Sequence, residues 1–322
     1  MKYSDINLSA KSVLITGGAG FIGSNLALHI QDNYPEARVV VFDAFTLGHF
    51  KNLLGFKGEV VGGDIANPLD LKRLEEEYKF DYIFHEAAIS DTTVADQKLV
   101  MQVNTNAFWD ILKIAKKHGA KTIYASSAGA YGNSAAPNIV GEGETPENIY
   151  GFSKLSMDRA AARFAKENGT IVVGLRYFNV YGHREVYKGK TASMILQLGL
   201  QILSGRRPQL FKWGEQKRDF VYIEDVIQAN IKALNAAKSG VYNVGSGVAR
   251  EYNEIFGNLT KTLEKDIEVE YIDNPWNFFQ NHTEADIAPA KTDLGYKPRF
   301  DIEKGIGSYA PHIVRIYESE IK

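Results

Sequence analysis

Short apolar runs alternate along this chain with longer segments whose apolar positions recur every three or four residues. Val13, Leu14, Ile15 and Thr16 form the first run, the pattern of a strand buried on both faces. Phe21–Asn33 follows, with Phe21, Ile22, Leu26 and Ile30 able to share one side of a helix. The same alternation predicts strands at Arg38–Phe42, Glu59–Ile65, Phe80–Phe84, Lys121–Ala125 and Thr170–Leu175, and helices at Pro68–Tyr78, Val94–His118 and Tyr150–Asn168. In the longest of these, Val103, Ala107, Ile111 and Ile114 fall at helical spacing. Strands and helices alternating at this rhythm imply right-handed crossovers and a parallel, doubly wound α/β sheet, whose ligands bind beyond the carboxyl ends of the strands.

Beyond Arg176 the rhythm loosens. Tyr181–Lys190 reads as a polar loop, Thr191–Ser204 as an amphipathic helix, and Arg206–Arg218 as loop with a turn at Trp213-Gly214. Phe220–Tyr222 and Val241–Val244 read as short strands flanking a helix at Glu224–Ala236. The expected organisation is a dinucleotide-binding domain over 1–176, with 219–246 returning to it. A smaller mixed lobe for substrate would comprise 177–218 and 247–322.

The link between Val13–Thr16 and the first helix carries the most specific chemistry. Gly17, Gly20 and Gly23 allow a sharp turn, a close approach of backbone to a diphosphate, and tight packing of helix on strand. The helix N-terminus adds free N–H groups and a partial positive charge. Asp43 stands 20 residues beyond Gly23, at the end of the second strand. A strand before, a helix after and an acidic residue at this distance identify a Rossmann-type dinucleotide site.

Composition removes other classes. Across 322 residues the net charge is −2, which offers no electrostatic footprint for nucleic acid or an anionic membrane. No run of 18 apolar residues exists, and Met1–Ala10 has no apolar core of a signal peptide. The absence of cysteine excludes disulfides, thiol catalysis and thiolate metal sites, and no metal site is expected. A cytoplasmic protein is the plain expectation.

Tyr150 and Lys154, at i and i+4, share a helix face, and Ser127 lies 23 residues upstream at a predicted strand end. Bringing a phenol of pKa about 10 to neutrality requires about 4 kcal/mol of preferential phenolate stabilisation. A neighbouring ammonium and an oxidised nicotinamide can supply it in a partly dry cleft. The phenolate then takes a hydroxyl proton as hydride leaves the same carbon, while Ser127 hydrogen-bonds the reacting oxygen.

The glycine spacing, Asp64, Ala87-Ala88, Ser127, Tyr131-Gly132 and the Tyr150/Lys154 pair together resemble the extended short-chain dehydrogenase/reductase family over nearly the whole chain. Within it, Glu86–Thr93, Tyr124–Gly132, Asn148–Lys154, Arg176–Lys190, Gln209–Phe211 and Lys217–Val226 resemble the branch of ADP-heptose 6-epimerases. The resemblance implies Ser127, Tyr150, Lys154 and Lys188 as the catalytic set, Lys188 being a second acid/base group; its alternative is a solvated loop lysine. It implies cofactor contacts from Gly17, Gly20, Phe21, Ile22, Gly23, Asp43, Lys51, Asp64, Ile65, Glu86, Ala87, Ala88, Ser90, Asn104, Tyr150, Lys154 and Val180.

The nucleotide-sugar substrate, ADP-heptose, would be met by Ser127, Asn179, Lys190, Gln197, Phe211, Lys212, Trp213, Gly214, Arg218 and Phe279. Lys190, Gln197 and Phe279 stand where the branch has serine, histidine and tyrosine. Arg218 suits a diphosphate oxygen, the alternative being a salt bridge to Asp219 or Glu224. Asp43 alone favours NAD, because a carboxylate repels a 2′-phosphate, whereas the branch and Lys51 favour NADP; NADP is the expectation and NAD the alternative. A homo-oligomer is expected. The reaction would oxidise C6 to an aldehyde, rotate it about C5–C6, and return hydride to the other face. A 4-epimerase or 4-keto reductase is the alternative enzyme, and a dinucleotide sensor the alternative without catalysis. A 4,6-dehydratase fits less well, since Ala128-Gly129-Ala130 follows Ser127 where that chemistry needs an acid and a base.

Overall fold

The computed structural model describes residues 2–274 and 281–321. In chain order, β1 (Ser12–Thr16), α1 (Phe21–Asn33), β2 (Arg38–Asp43), β3 (Glu59–Gly62), α2 (Pro68–Glu77) and β4 (Tyr82–His85) open the chain. Then come α3 (Gln97–Val100), α4 (Ala107–His118), β5 (Lys121–Ser127), α5 (Ile149–Asn168) and β6 (Val172–Tyr177). The remainder comprises β7 (Asn179–Tyr181), α6 (Met194–Leu203), β8 (Gln209–Phe211), β9 (Lys217–Tyr222), α7 (Ile223–Ala233), β10 (Gly240–Val244), β11 (Ala249–Glu251), α8 (Tyr252–Thr262), β12 (Glu270–Ile272), β13 (His282–Thr283) and α9 (Ile302–Ile316).

Seven strands form one parallel sheet in the order β10-β6-β5-β4-β1-β2-β3, the expected doubly wound Rossmann arrangement. Alternate residues of each strand feed opposite faces. Val13 and Ile15 pack with Leu26 and Ile30 of α1 and Ile227 and Ile231 of α7. Leu14 packs on the other face with Leu71 and Leu74 of α2 and Ile111 and Ile114 of α4. The order reverses between β1 and β4, which opens a crevice at their carboxyl ends. A second sheet joins β7, β9, β11 and β13, and β8 pairs with β12.

Several boundaries differ from the sequence expectation. The helix expected from Val94 starts only at Gln97, because Asp91 closes a turn on Thr93 and Asp96 caps the helix by accepting from the Leu99 N–H at 2.9 Å. Between α3 and α4, Met101–Asn106 winds as a wider π turn. The third strand ends at Gly62, leaving Gly63, Asp64 and Ile65 in the loop above the sheet. The expected loop at Arg206–Arg218 contains β8, too short to show a period, while the turn at Trp213-Gly214 closes through Gly214 N–H to the Phe211 carbonyl at 2.7 Å.

Candidate active site

A cleft of about 310 Å³ lies over the crevice between β1 and β4. Its floor is the glycine turn. Gly17 has φ +67°, and a Cβ there would come within 2.6 Å of the Ala87 nitrogen. A Cβ on Gly23 would sit 2.3 Å from the Gly17 carbonyl oxygen. These two positions therefore demand glycine, one for the turn and one for the approach of α1 to β1. No side chain caps the N-terminus of α1, and Gly20, Phe21, Ile22 and Gly23 line the cleft. Uncapped N–H groups facing a cavity suit the diphosphate of a dinucleotide.

Asp43, Asp64, Ile65, Ala87, Ala88, Ser90 and Val180 also line the cleft. Both Asp43 carboxylate oxygens are held, Oδ2 by Ala19 N–H at 2.8 Å and Oδ1 by Phe45 N–H at 2.7 Å. Burial raises the Asp43 pKa, and those two backbone bonds oppose the rise. Lys51 does not face this cavity: its ammonium pairs with Glu320 at 3.0 Å and lies over the Tyr187 ring. Asn104 lies behind the wall, where it clamps the Ile89 backbone, accepting at 2.8 Å and donating at 3.1 Å.

The catalytic candidates meet at the other end. Ser127, Tyr150, Lys154 and Lys188 all line the cleft. α5 delivers Tyr150 and Lys154 because Asn148 caps it, accepting from the Gly151 N–H at 2.8 Å. Ser127 ends β5; its hydroxyl lies beside the Tyr150 phenol and accepts from Gly129 N–H at 3.0 Å. The Lys154 ammonium donates to the Ala125 carbonyl at 2.7 Å and stands 5.9 Å from the centre of the Tyr150 ring. Burial lowers the Lys154 pKa to about 8, while Glu86 and Asp158 pull it up. Burial raises the pKa of Tyr150, and the Ser127 hydroxyl opposes the rise. Burial thus opposes the phenolate, which on the sequence argument needs an oxidised nicotinamide beside the Lys154 ammonium.

Lys188 comes from a different wall. It follows β7 in a short helical turn, Val186–Thr191, with its ammonium 5.7 Å from the Phe21 ring of α1. Burial lowers its pKa, and Glu185 opposes this. It is half-buried in the cleft rather than solvated.

The residues assigned to the sugar side, apart from Ser127, do not reach the cleft among the described residues. Asn179 donates to the Asp219 carbonyl at 3.2 Å, Lys190 pairs with Asp91 at 3.5 Å, and Gln197 donates to the Ala192 carbonyl at 2.7 Å. Lys212 pairs with Asp273 at 2.9 Å, and Trp213 stands edge-on to Tyr271. Phe211 and Gly214 frame that turn, and Arg218 is buried in β9 with Nη1 donating to the Lys217 carbonyl at 2.9 Å. Its neighbour Asp219 is committed to Ser246, Gly247 and Ala285. Phe279 lies outside the described residues.

Sequence reasoning passed over Tyr177 and Phe178, which line the cleft, and the buried cluster behind it. There Arg176 pairs with Asp158 at 2.8 Å and Glu144 at 2.7 Å, tying α5 and the loop before it to β6. A charged residue inside an otherwise apolar strand was the available signal.

The glycine turn, the strand-end serine and the Tyr/Lys helix define a dinucleotide-dependent enzyme of the short-chain type, and the comparison makes the class definite. The chain belongs to the NAD dependent epimerase/dehydratase family, whose sequence pattern matches residues 13–245. Among solved structures it is similar to ADP-L-glycero-D-manno-heptose-6-epimerase from Helicobacter pylori, with 57% identity, 98% of this chain and 99% of that chain covered, and a TM-score of 0.92. It is also similar to UDP-glucose 4-epimerase of Thermotoga maritima, solved with UDP-glucose (29% identity, 94% and 99% covered, TM-score 0.89). A third relative is the UDP-glucuronic acid 4-epimerase of Bacillus cereus, solved with UDP-glucuronic acid and NAD (28% identity, 95% and 100% covered, TM-score 0.83). The expected family and branch are borne out, and the family's cofactor is a nicotinamide dinucleotide. No helix among the described residues is long and apolar enough to cross a membrane.

Proposed function

We propose that this enzyme is a nucleotide-sugar epimerase that interconverts ADP-D-glycero-D-manno-heptose and ADP-L-glycero-D-manno-heptose at C6. The observation that carries the reading is the pair Tyr150 and Lys188, brought to one cleft from separate walls. The 57% identity with a heptose 6-epimerase supports the choice of sugar. A nicotinamide dinucleotide held over the glycine turn would supply the hydride acceptor and donor. Tyr150 exchanges the proton of the substrate hydroxyl, and Ser127 hydrogen-bonds the same oxygen. Lys154, held by Ala125, places positive charge beside the phenol and favours its ionised form. After rotation about C5–C6 the aldehyde oxygen faces the other wall, where Lys188 exchanges the proton. A terminal carbon needs only this local rotation, so the rest of the sugar stays in place.

For the cofactor, the geometry favours NAD over NADP. Asp43 holds its carboxylate in the cleft wall, and Lys51, the cation that argued for NADP, is engaged with Glu320. Several copies of the chain are expected to assemble in solution, with a cytoplasmic location. The decisive experiment is turnover of a panel of ADP-, UDP-, GDP- and dTDP-sugars. Epimerisation of ADP-heptose at C6 supports the reading. Turnover of a UDP-hexose at C4 without it would replace the reading with a 4-epimerase.

A further inference from the structure

Glu86 lines the catalytic end of the cleft and is unused by the proton transfers. It follows β4 and reaches over the carboxyl end of β5 toward β6, where Oε1 accepts from the Tyr177 hydroxyl at 3.0 Å. The Tyr177 oxygen in turn accepts from Asn230 Nδ2 of α7 at 2.9 Å, which fixes its direction. Oε2 of Glu86 is sealed from solvent and has no hydrogen-bond partner within the protein. The titratable groups facing this carboxyl are Lys154 and Tyr150 from α5 and Tyr177 from β6. Burial pushes its pKa up to about 7, against the Tyr177 bond and the charge of Lys154. A buried carboxylate with an unpartnered oxygen is unfavourable, and a positive charge brought into the cleft beside it offsets that cost through space.

We propose that Glu86 sets the redox preference of this cleft, binding the oxidised nicotinamide ring more tightly than the reduced one. The inference rests on the dinucleotide occupying the cleft as proposed above. The oxidised ring is a cation and the reduced ring is neutral, so a nearby carboxylate separates two otherwise similar ligands by charge. Lys154 and Lys188 line the same cleft and act in the opposite direction. Beside Ser127 and Tyr150, at the far end from Asp43 and Asp64, Glu86 is the carboxylate that offsets these two ammonium groups. An epimerase that begins by removing hydride can start only from the oxidised state, so a wall that favours the reduced form would stall it.

The test measures dissociation constants of the oxidised and reduced dinucleotide on the cofactor-free full chain, without sugar substrate. In Glu86→Gln, which keeps the shape and removes the charge, the preference for the oxidised form falls by about tenfold or more, with reduced-form affinity within about threefold. Glu86→Asp retains most of the preference. In the unaltered protein the preference grows between about pH 5.5 and about pH 7 as the carboxyl ionises, a rise that Glu86→Gln lacks. This pH series decides the matter even if the glutamine variant folds poorly. A preference that is flat with pH, or one that Glu86→Gln leaves unchanged, overturns the role. Equal weakening of both forms assigns Glu86 to architecture alone and likewise overturns it. If the unaltered chain binds neither form, the cleft reading and this inference fail together.

Discussion

The two sides of the cleft are built differently. On the dinucleotide side, most of the assigned residues sit at strand ends or in the glycine turn, where parallel ladders and close backbone contacts hold them in the cavity wall. On the sugar side, Asn179, Lys190, Gln197, Lys212 and Arg218 are spent on local carbonyls and carboxylates. Trp213 is 61% exposed. The cofactor side is organised in advance, whereas these sugar-side contacts must exchange local partners to meet a ligand. Such rearrangement would draw on binding energy, so under the proposed function sugar specificity would rest on a softer surface than the chemistry does.

Breaking the organised side should give the largest effect. Gly23→Ala forces a methyl against the Gly17 carbonyl; dinucleotide affinity should fall by about a hundredfold or more, and overpacking should destabilise the chain by about 2 kcal/mol. Titration with dinucleotide and a thermal melt check both, and unchanged affinity would show that the turn is not rigid. Tyr150→Phe should keep fold and dinucleotide affinity while losing about a hundredfold in turnover. Near-normal turnover would remove Tyr150 from the chemistry.

Lys188→Met sharpens the comparison, because Lys188 is the charged lobe-side group that reaches the cleft among the described residues. Epimerisation should drop by about a hundredfold while ADP-heptose affinity stays within about tenfold. A C6-aldehyde analogue would show which of the two epimeric alcohols is lost; a mutant that epimerises normally assigns the loop a structural role. The smallest effect belongs to Lys51. NAD should bind at least about tenfold tighter than NADP, and Lys51→Ala should leave that ratio within about twofold, as expected for an exposed lysine paired elsewhere. A large loss of NADP affinity in that variant would place the lysine at the ribose after all.

What could be read in advance follows the same division. Gly17, Gly20 and Gly23, the strand ends and the Tyr150/Lys154 spacing express local constraints, and a period of two or 3.6 records them directly. The start of α3 was missed because two short polar side chains, Asp91 and Asp96, hold a turn that hydropathy cannot register. Lys51 was assigned as the nearest cation in the loop that the branch makes basic, and its ammonium pairs with Glu320, which lies 269 positions away in sequence. Glu86 was legible as a cleft residue; its unpartnered oxygen became visible only when β4, β5 and β6 were set side by side.

The seventh strand of the main sheet bears on how this chain emerges from a ribosome. β10 pairs with β6, yet β7, α6, β8, β9 and α7 are synthesised between them. Until Val244 has left the exit tunnel, β6 therefore borders an incomplete sheet. Its residues, all buried in the finished protein, would present unpaired N–H and C=O groups. The nascent chain is thus open to wrong strand pairing at this edge during a defined interval of translation, and α7 with β10 closes that interval.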